Sequence, residues 1–140
     1  MSEPFITIEN DPPAEDVRLL WNGLDQYNFS QTGQKAQLIS VFVRNEQHEV
    51  IGAAHGWTGY GWLHIRAFWL REDQRQKGWG TRLLRATEAE AVKRGCRNSH
   101  LETFSFQALG FYQKTGYRVF GELGNVAGDH RWYFLEKELC

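Results

Sequence analysis

The stretch Arg75-Gln76-Lys77-Gly78-Trp79-Gly80 constrains this chain more than any other. It lies between an apolar run, Ala67-Phe68-Trp69-Leu70, that reads as a strand and a helical run from Thr81 to Arg94. A glycine-spaced turn that enters a helix gathers backbone N–H groups around one centre, and the helix terminus adds partial positive charge there. Gly78 and Gly80 have no Cβ, so a bulky anion can approach the backbone closely. Arg75, Lys77 and Arg82 supply full charge nearby. The physical reading is a pyrophosphate cradle.

Two familiar phosphate sites do not fit. No Gly-Lys-Ser/Thr follows, so the turn is not a P-loop, and a nucleotide-binding module is disfavoured. A dinucleotide fingerprint needs a third glycine near Leu83 and an early place in a βαβ unit, whereas at least three strand-like runs come first here.

The surrounding pattern predicts one domain spanning residues 1–140. Phe5 to Glu9 alternates as a first strand, and Asp11-Pro12-Pro13 opens a helix through Val17, Leu19, Leu20 and Trp21. Leu24 to Asn28 reads as a short second helix or a loop. Leu38–Arg44, Val50–Trp57 and Trp62–Leu70 read as strands, the last buried on both faces, with turns at 45–48 and 58–61. The helix after the glycines puts Gly80, Leu83, Leu84, Thr87 and Ala91 on one face and Arg82, Arg85, Glu88 and Lys93 on the other. Gly95 stops it. Ser99–Phe104 is a strand, Phe106–Lys114 a short helix, and Tyr117–Glu122 and Arg131–Lys137 a closing strand pair joined by a glycine-rich loop, 123–129. The order predicts an α/β (α+β) fold with a mixed sheet and helices on both faces.

Net charge is −1, which offers no electrostatic footprint for nucleic acid. No apolar run is long enough to span a membrane, and the N-terminus lacks the pattern of a secretory signal. Cys96 and Cys140 lack CxxC spacing and read as reduced thiols, so a cytoplasmic location is expected. The five histidines show no ligand spacing, so no metal is expected.

Downstream, Phe111-Tyr112-Gln113-Lys114-Thr115-Gly116-Tyr117 follows a strand and a short helix. Arg-x-x-Gly-x-Gly and this later Phe-Tyr-x-Lys-x-Gly-Tyr, in this order, resemble the two signature motifs of the GNAT superfamily of acyl-CoA-dependent N-acyltransferases. The resemblance is good from Val41 to Tyr117 and looser at the ends. It implies the GNAT fold, with a mostly antiparallel central sheet, and acetyl-CoA as co-substrate. It places the pyrophosphate on the main chain from Arg75 through Gln76, Lys77, Gly78, Trp79 and Gly80 to Thr81. It also places the pantetheine arm along the backbones of Phe68 and Leu70. Ser105 departs from the family pattern, in which an asparagine commonly bonds the CoA arm; serine keeps the polarity with less reach.

Transfer from a thioester to an amine needs a held donor, a neutral amine and a proton for the leaving thiolate. The resemblance puts Tyr112 near the thioester sulfur, where a phenol can act as general acid; packing or orienting CoA is its alternative role. His64 or Glu102 could take the proton of the amine, and a water chain is a third route. His64 could equally be a core histidine with a satisfied hydrogen bond. The acceptor reads as an amine of a small molecule or peptide. Trp21, Tyr27 and Phe29, together with the loop 122–130, are expected around its cleft. A non-catalytic CoA-binding regulatory domain is the competing reading. Family habit and aromatic richness also point to a homodimer through Trp132, Tyr133 and Phe134, unless both faces of that strand are covered within one chain.

Overall fold

The computed structural model describes residues 2–140. The backbone forms two compact units, Met1–Lys35 and Ala36–Cys140. The first unit is built on helix α1, Ala14–Thr32, with Pro13 at its N-cap. It ends where Gly33 takes the left-handed conformation (φ +69°) and donates its N–H to the Phe29 carbonyl at 2.7 Å. The second helix or loop expected at Leu24–Asn28 is instead the continuation of α1, since a lone glycine such as Gly23 weakens a helix without ending it. Phe5–Glu9 is not a strand. Alternation alone does not make one; it needs a neighbouring strand for its backbone groups, and among the described residues no ladder includes this segment.

The second unit is a six-stranded sheet in the order β1-β2-β3-β4-β6-β5. Its strands are β1 Gln37–Arg44, β2 Val50–Gly59, β3 Trp62–Leu70, β4 Asn98–Phe104, β5 Arg118–Val126 and β6 His130–Glu138. Every pairing is antiparallel except β3 with β4. The crossover between those two carries α2, Trp79–Lys93, and α3, Leu109–Lys114, follows β4. The expected mixed, mostly antiparallel sheet is therefore present.

Leu63 and Ile65 of β3, Leu101 of β4 and Leu135 of β6 form one core with Leu84 and Ala91 of α2 and Tyr112 of α3. The alternate residues of the same strands, His64, His100, Glu102 and Glu136, are only half-buried, as period-two alternation requires.

Three further expectations are corrected. Strand β3 is not buried along its length: Arg66, Ala67 and Trp69 are exposed. The last strands form a tighter hairpin than a seven-residue loop would allow, with a turn at 127–129 where Ala127 and Gly128 have positive φ. Glu88 lies on the buried side of α2 rather than the polar one. Its carboxylate accepts from the Tyr117 hydroxyl at 2.8 Å and from Lys137 Nζ at 3.0 Å, and Tyr117 also bonds Ser99 at 2.8 Å. A buried charge is tolerated when it is paired and hydrogen-bonded in this way.

Candidate active site

Strand β3 carries a bulge. His55 pairs with Ala67 but Gly56 pairs with Ile65, so Arg66 is the extra residue. Gly56 makes the bulge sterically feasible: a Cβ there would lie 1.8 Å from the His64 carbonyl oxygen. At the same level the sheet opens. Strands β3 and β4 pair only from Trp62–Asn98 to Ile65–Leu101, although β3 runs on to Leu70 and β4 to Phe104. Beyond the bulge β3 stays with β2 and β4 stays with β6.

The opening leaves backbone groups without a strand partner. The Arg71 N–H donates to the Ile51 carbonyl at 2.8 Å. Antiparallel hydrogen bonding alternates, so the backbones of Phe68 and Leu70 face away from β2 and into the gap. The Leu70 carbonyl accepts from Arg75 Nε at 2.9 Å, which fits that direction.

The glycine turn lies just past the gap. A 3-10 turn, Glu72–Gln74, leads into Arg75. Gln76 and Gly78 both have positive φ, and Gly78 caps α2. No side chain caps this helix end, and its first turn holds no acidic residue, an arrangement that suits an anion. Arg75, Lys77 and Arg82 are exposed around it. Arg82 lies over the Trp79 ring at 4.2 Å. Gly80 and Thr81 follow in the first turn; a Cβ on Gly80 would sit 3.5 Å from the Phe111 ring, so α2 and α3 approach each other there.

The candidate catalytic side chains lie on opposite faces of the sheet. Tyr112 belongs to the core on the α2 and α3 side, where its ring meets Phe68 and Phe111 at 6.1 and 5.3 Å. Burial pushes its phenol up to about 12, so it stays protonated at neutral pH. His64 and Glu102 belong to the other face. Parallel pairing puts them on adjacent strands, with His64 Nε2 3.0 Å from Glu102 Oε1 and 3.2 Å from Oε2. The two alternative bases of the sequence reading are thus one hydrogen-bonded pair.

Ser105 lies just past the end of β4. Its hydroxyl accepts from the Arg131 N–H at 3.0 Å and lies 3.3 Å from His130 Nδ1, so it ties the end of β4 to β6. Trp21, Tyr27 and Phe29 lie on α1, in the first unit. The sequence reading missed Thr103 and Gln107. The Gln107 side-chain oxygen accepts from the Phe104 N–H at 2.8 Å, and Thr103 Oγ1 accepts from the Ala108 N–H at 3.3 Å, which shapes the turn that delivers α3. It also missed His100, whose ring stacks on His64 with centroids 4.2 Å apart and planes 4° apart. Ligand atoms of His64, His100 and Glu102 all lie within 4.8 Å of one another. The lone pairs of two stacked rings lie in parallel planes and do not meet at one point, however, so the arrangement suits proton handling better than a common ion.

Residues 4–117 match the Acetyltransferase (GNAT) family. The chain belongs to this family. Acetyltransferase Atu2258 of Agrobacterium fabrum is 30% identical over 125 residues, which is 89% of this chain and 91% of that protein. Blasticidin-S acetyltransferase of Streptomyces morookaense is 34% identical over 104 residues, 74% of this chain and 76% of its own. A crystal structure from Agrobacterium tumefaciens, assigned to the acetyltransferases, superposes with a TM-score of 0.87 at 28% identity, covering 96% of this chain and 99% of that one. An acetyltransferase from Bacillus cereus superposes at 0.78 with 35% identity, covering 95% and 97%. Among the described residues no helix is long and apolar enough to cross a membrane.

Proposed function

We propose that this GNAT acetyltransferase moves an acetyl group from acetyl-CoA to a primary amine of a small molecule or peptide, by direct attack while both are bound. The observation that carries the reading is the gap between β3 and β4, with the Phe68 and Leu70 backbones along it, Tyr112 on one face and the His64–Glu102 pair on the other. The pyrophosphate rests on N–H groups between Arg75 and Thr81, and the pantetheine arm bonds the β3 backbone. Two observations support this assignment: the uncapped start of α2 and the absence of acidic residues in its first turn. A protein of the same fold from Bacillus anthracis was crystallised in complex with acetyl coenzyme A, which supports that donor. The blasticidin-S acetyltransferase among the relatives supports a small-molecule acceptor.

In the reaction, the amine nitrogen bonds to the carbonyl carbon and the carbon–sulfur bond breaks. His64, oriented by Glu102, takes one ammonium proton before attack; Tyr112 donates its hydroxyl proton to the departing sulfur, and the second proton that the nitrogen sheds as the amide forms returns through water to the Tyr112 oxygen. Holding both reactants supplies much of the acceleration, and each proton transfer contributes on the order of 10²–10⁴-fold. A homodimer belongs to the same proposal. Within the chain, Trp132 already packs on Phe104 and Phe134, at 5.1 and 5.4 Å.

Thiol release from acetyl-CoA over a panel of primary amines tests the reading. Release that depends on the amine is expected, and CoA binding without turnover on any amine would return the chain to a non-catalytic role. If His64 is the base, kcat/KM rises with pH and His64→Ala abolishes that limb. An unchanged profile in the variant would assign the proton to Glu102 or water.

A further inference from the structure

On the face of the sheet that carries His64 and Glu102 there is a pocket of about 360 Å³. Its walls are Trp57, Tyr60, Trp62, His100 and Phe120, with Glu136 beside them. The rings meet edge to face around an open, aromatic-lined depression, hereafter the box: Trp57 lies at 72° to Tyr60 and 78° to His100, and Trp62 at 74° to His100. Ring faces carry negative potential, so a box of them attracts an organic cation, and a carboxylate at its edge adds to that attraction. Glu136 engages Arg118 through Oε1 alone, and Arg118 is largely exposed. Among the described residues no lysine or arginine lines the pocket. Burial, and after it the neighbouring His64, holds His100 below the ordinary imidazole value, so that wall is a neutral ring at neutral pH.

The box and the proton-handling pair share a wall. His100 lines the pocket and stacks on His64 at 4.2 Å, and His64 bonds Glu102 at 3.0 Å. Along β3, Trp62 in the box is two residues from His64, a span of about 6–7 Å. We propose that the box of Trp57, Tyr60, Trp62 and Phe120, with Glu136, holds a second cationic group of the acceptor while its reacting amine reaches His64 and Glu102. The acceptor class is then a small dication whose two nitrogens are separated by a short alkyl span. The volume falls at the lower end of small-ligand pockets, which favours such a molecule over a polypeptide. This inference rests on the N-acetyltransferase reading for the reacting end and on the box alone for the other.

The test compares diaminobutane with butylamine, two probes that differ in the second cation. For the wild type, kcat/KM for the diamine is expected to exceed that for the monoamine by about tenfold or more. Trp62→Ala and Glu136→Gln should each bring that ratio toward one. Isothermal titration of diaminobutane into the protein should show affinity weakened about tenfold in both variants, and tetramethylammonium should compete with the diamine but not with acetyl-CoA. Unfolding curves show whether Trp62→Ala folds; Glu136→Gln changes no packing volume and carries the test if it does not. Equal ratios in wild type and variants, with acetylation intact, would overturn the box. Box-dependent diamine binding with no acetylation of any amine would sustain the box and sink the reaction instead.

Discussion

Tyr112→Phe should lower kcat about 100-fold while leaving the KM for acetyl-CoA nearly unchanged. The hydroxyl is assigned to the departing thiolate, which carries charge only as the carbon–sulfur bond breaks. Its loss therefore weakens the transition state more than the bound ground state. The variant is a clean test for a structural reason. Tyr112 is 5% exposed and holds its place through ring contacts with Phe68, Phe111 and Tyr117, all of which phenylalanine keeps. Among the described residues the Tyr112 hydroxyl makes no hydrogen bond, so its removal orphans no buried partner. Steady-state kinetics at saturating amine and acetyl-CoA decide the matter, and an unchanged kcat would reduce Tyr112 to packing.

The second large effect lies in the scaffold. Gly56→Ala should destabilise the protein by about 3 kcal/mol, lowering Tm by roughly 10 °C. The added Cβ would meet backbone rather than a movable side chain: His64 O at 1.8 Å, His64 C at 2.9 Å and Arg66 N at 3.1 Å. Relief requires β3 to move away from β2 at the bulge that opens the gap toward β4. Donor affinity should fall with stability. Thermal unfolding with and without CoA reads both, and a variant as stable as the wild type would mean that the close approach at Gly56 is absent in solution.

Much of this architecture was legible in the residues because its signals are local. The bounds of β3 follow from an apolar run closed by turn residues, and the buried face of α2 from Leu83, Leu84, Thr87 and Ala91 at helical spacing. Glu88 was misread because its partners, Tyr117 and Lys137, are 29 and 49 residues away, and periodicity cannot see a distant pair. Phe5–Glu9 shows the opposite error, a good local pattern without a partner strand. In the candidate site, the glycine turn announced itself, while the bulge did not, since Gly56 looks like any strand glycine until its neighbour's backbone is known. His64 and Glu102 could be named as alternatives but not as a pair. Their 38-residue separation is closed only by the parallel register of β3 and β4, which also stacks His100 on His64 and builds the aromatic box beside them.

The most direct test of the account is a crystal structure of the protein with acetyl-CoA. The pyrophosphate should lie within hydrogen-bond distance of backbone N–H groups between Arg75 and Thr81, the pantetheine arm along Phe68 and Leu70, and the thioester in the β3–β4 gap between Tyr112 and His64. A donor bound away from the start of α2, or with its thioester outside that gap, would contradict it.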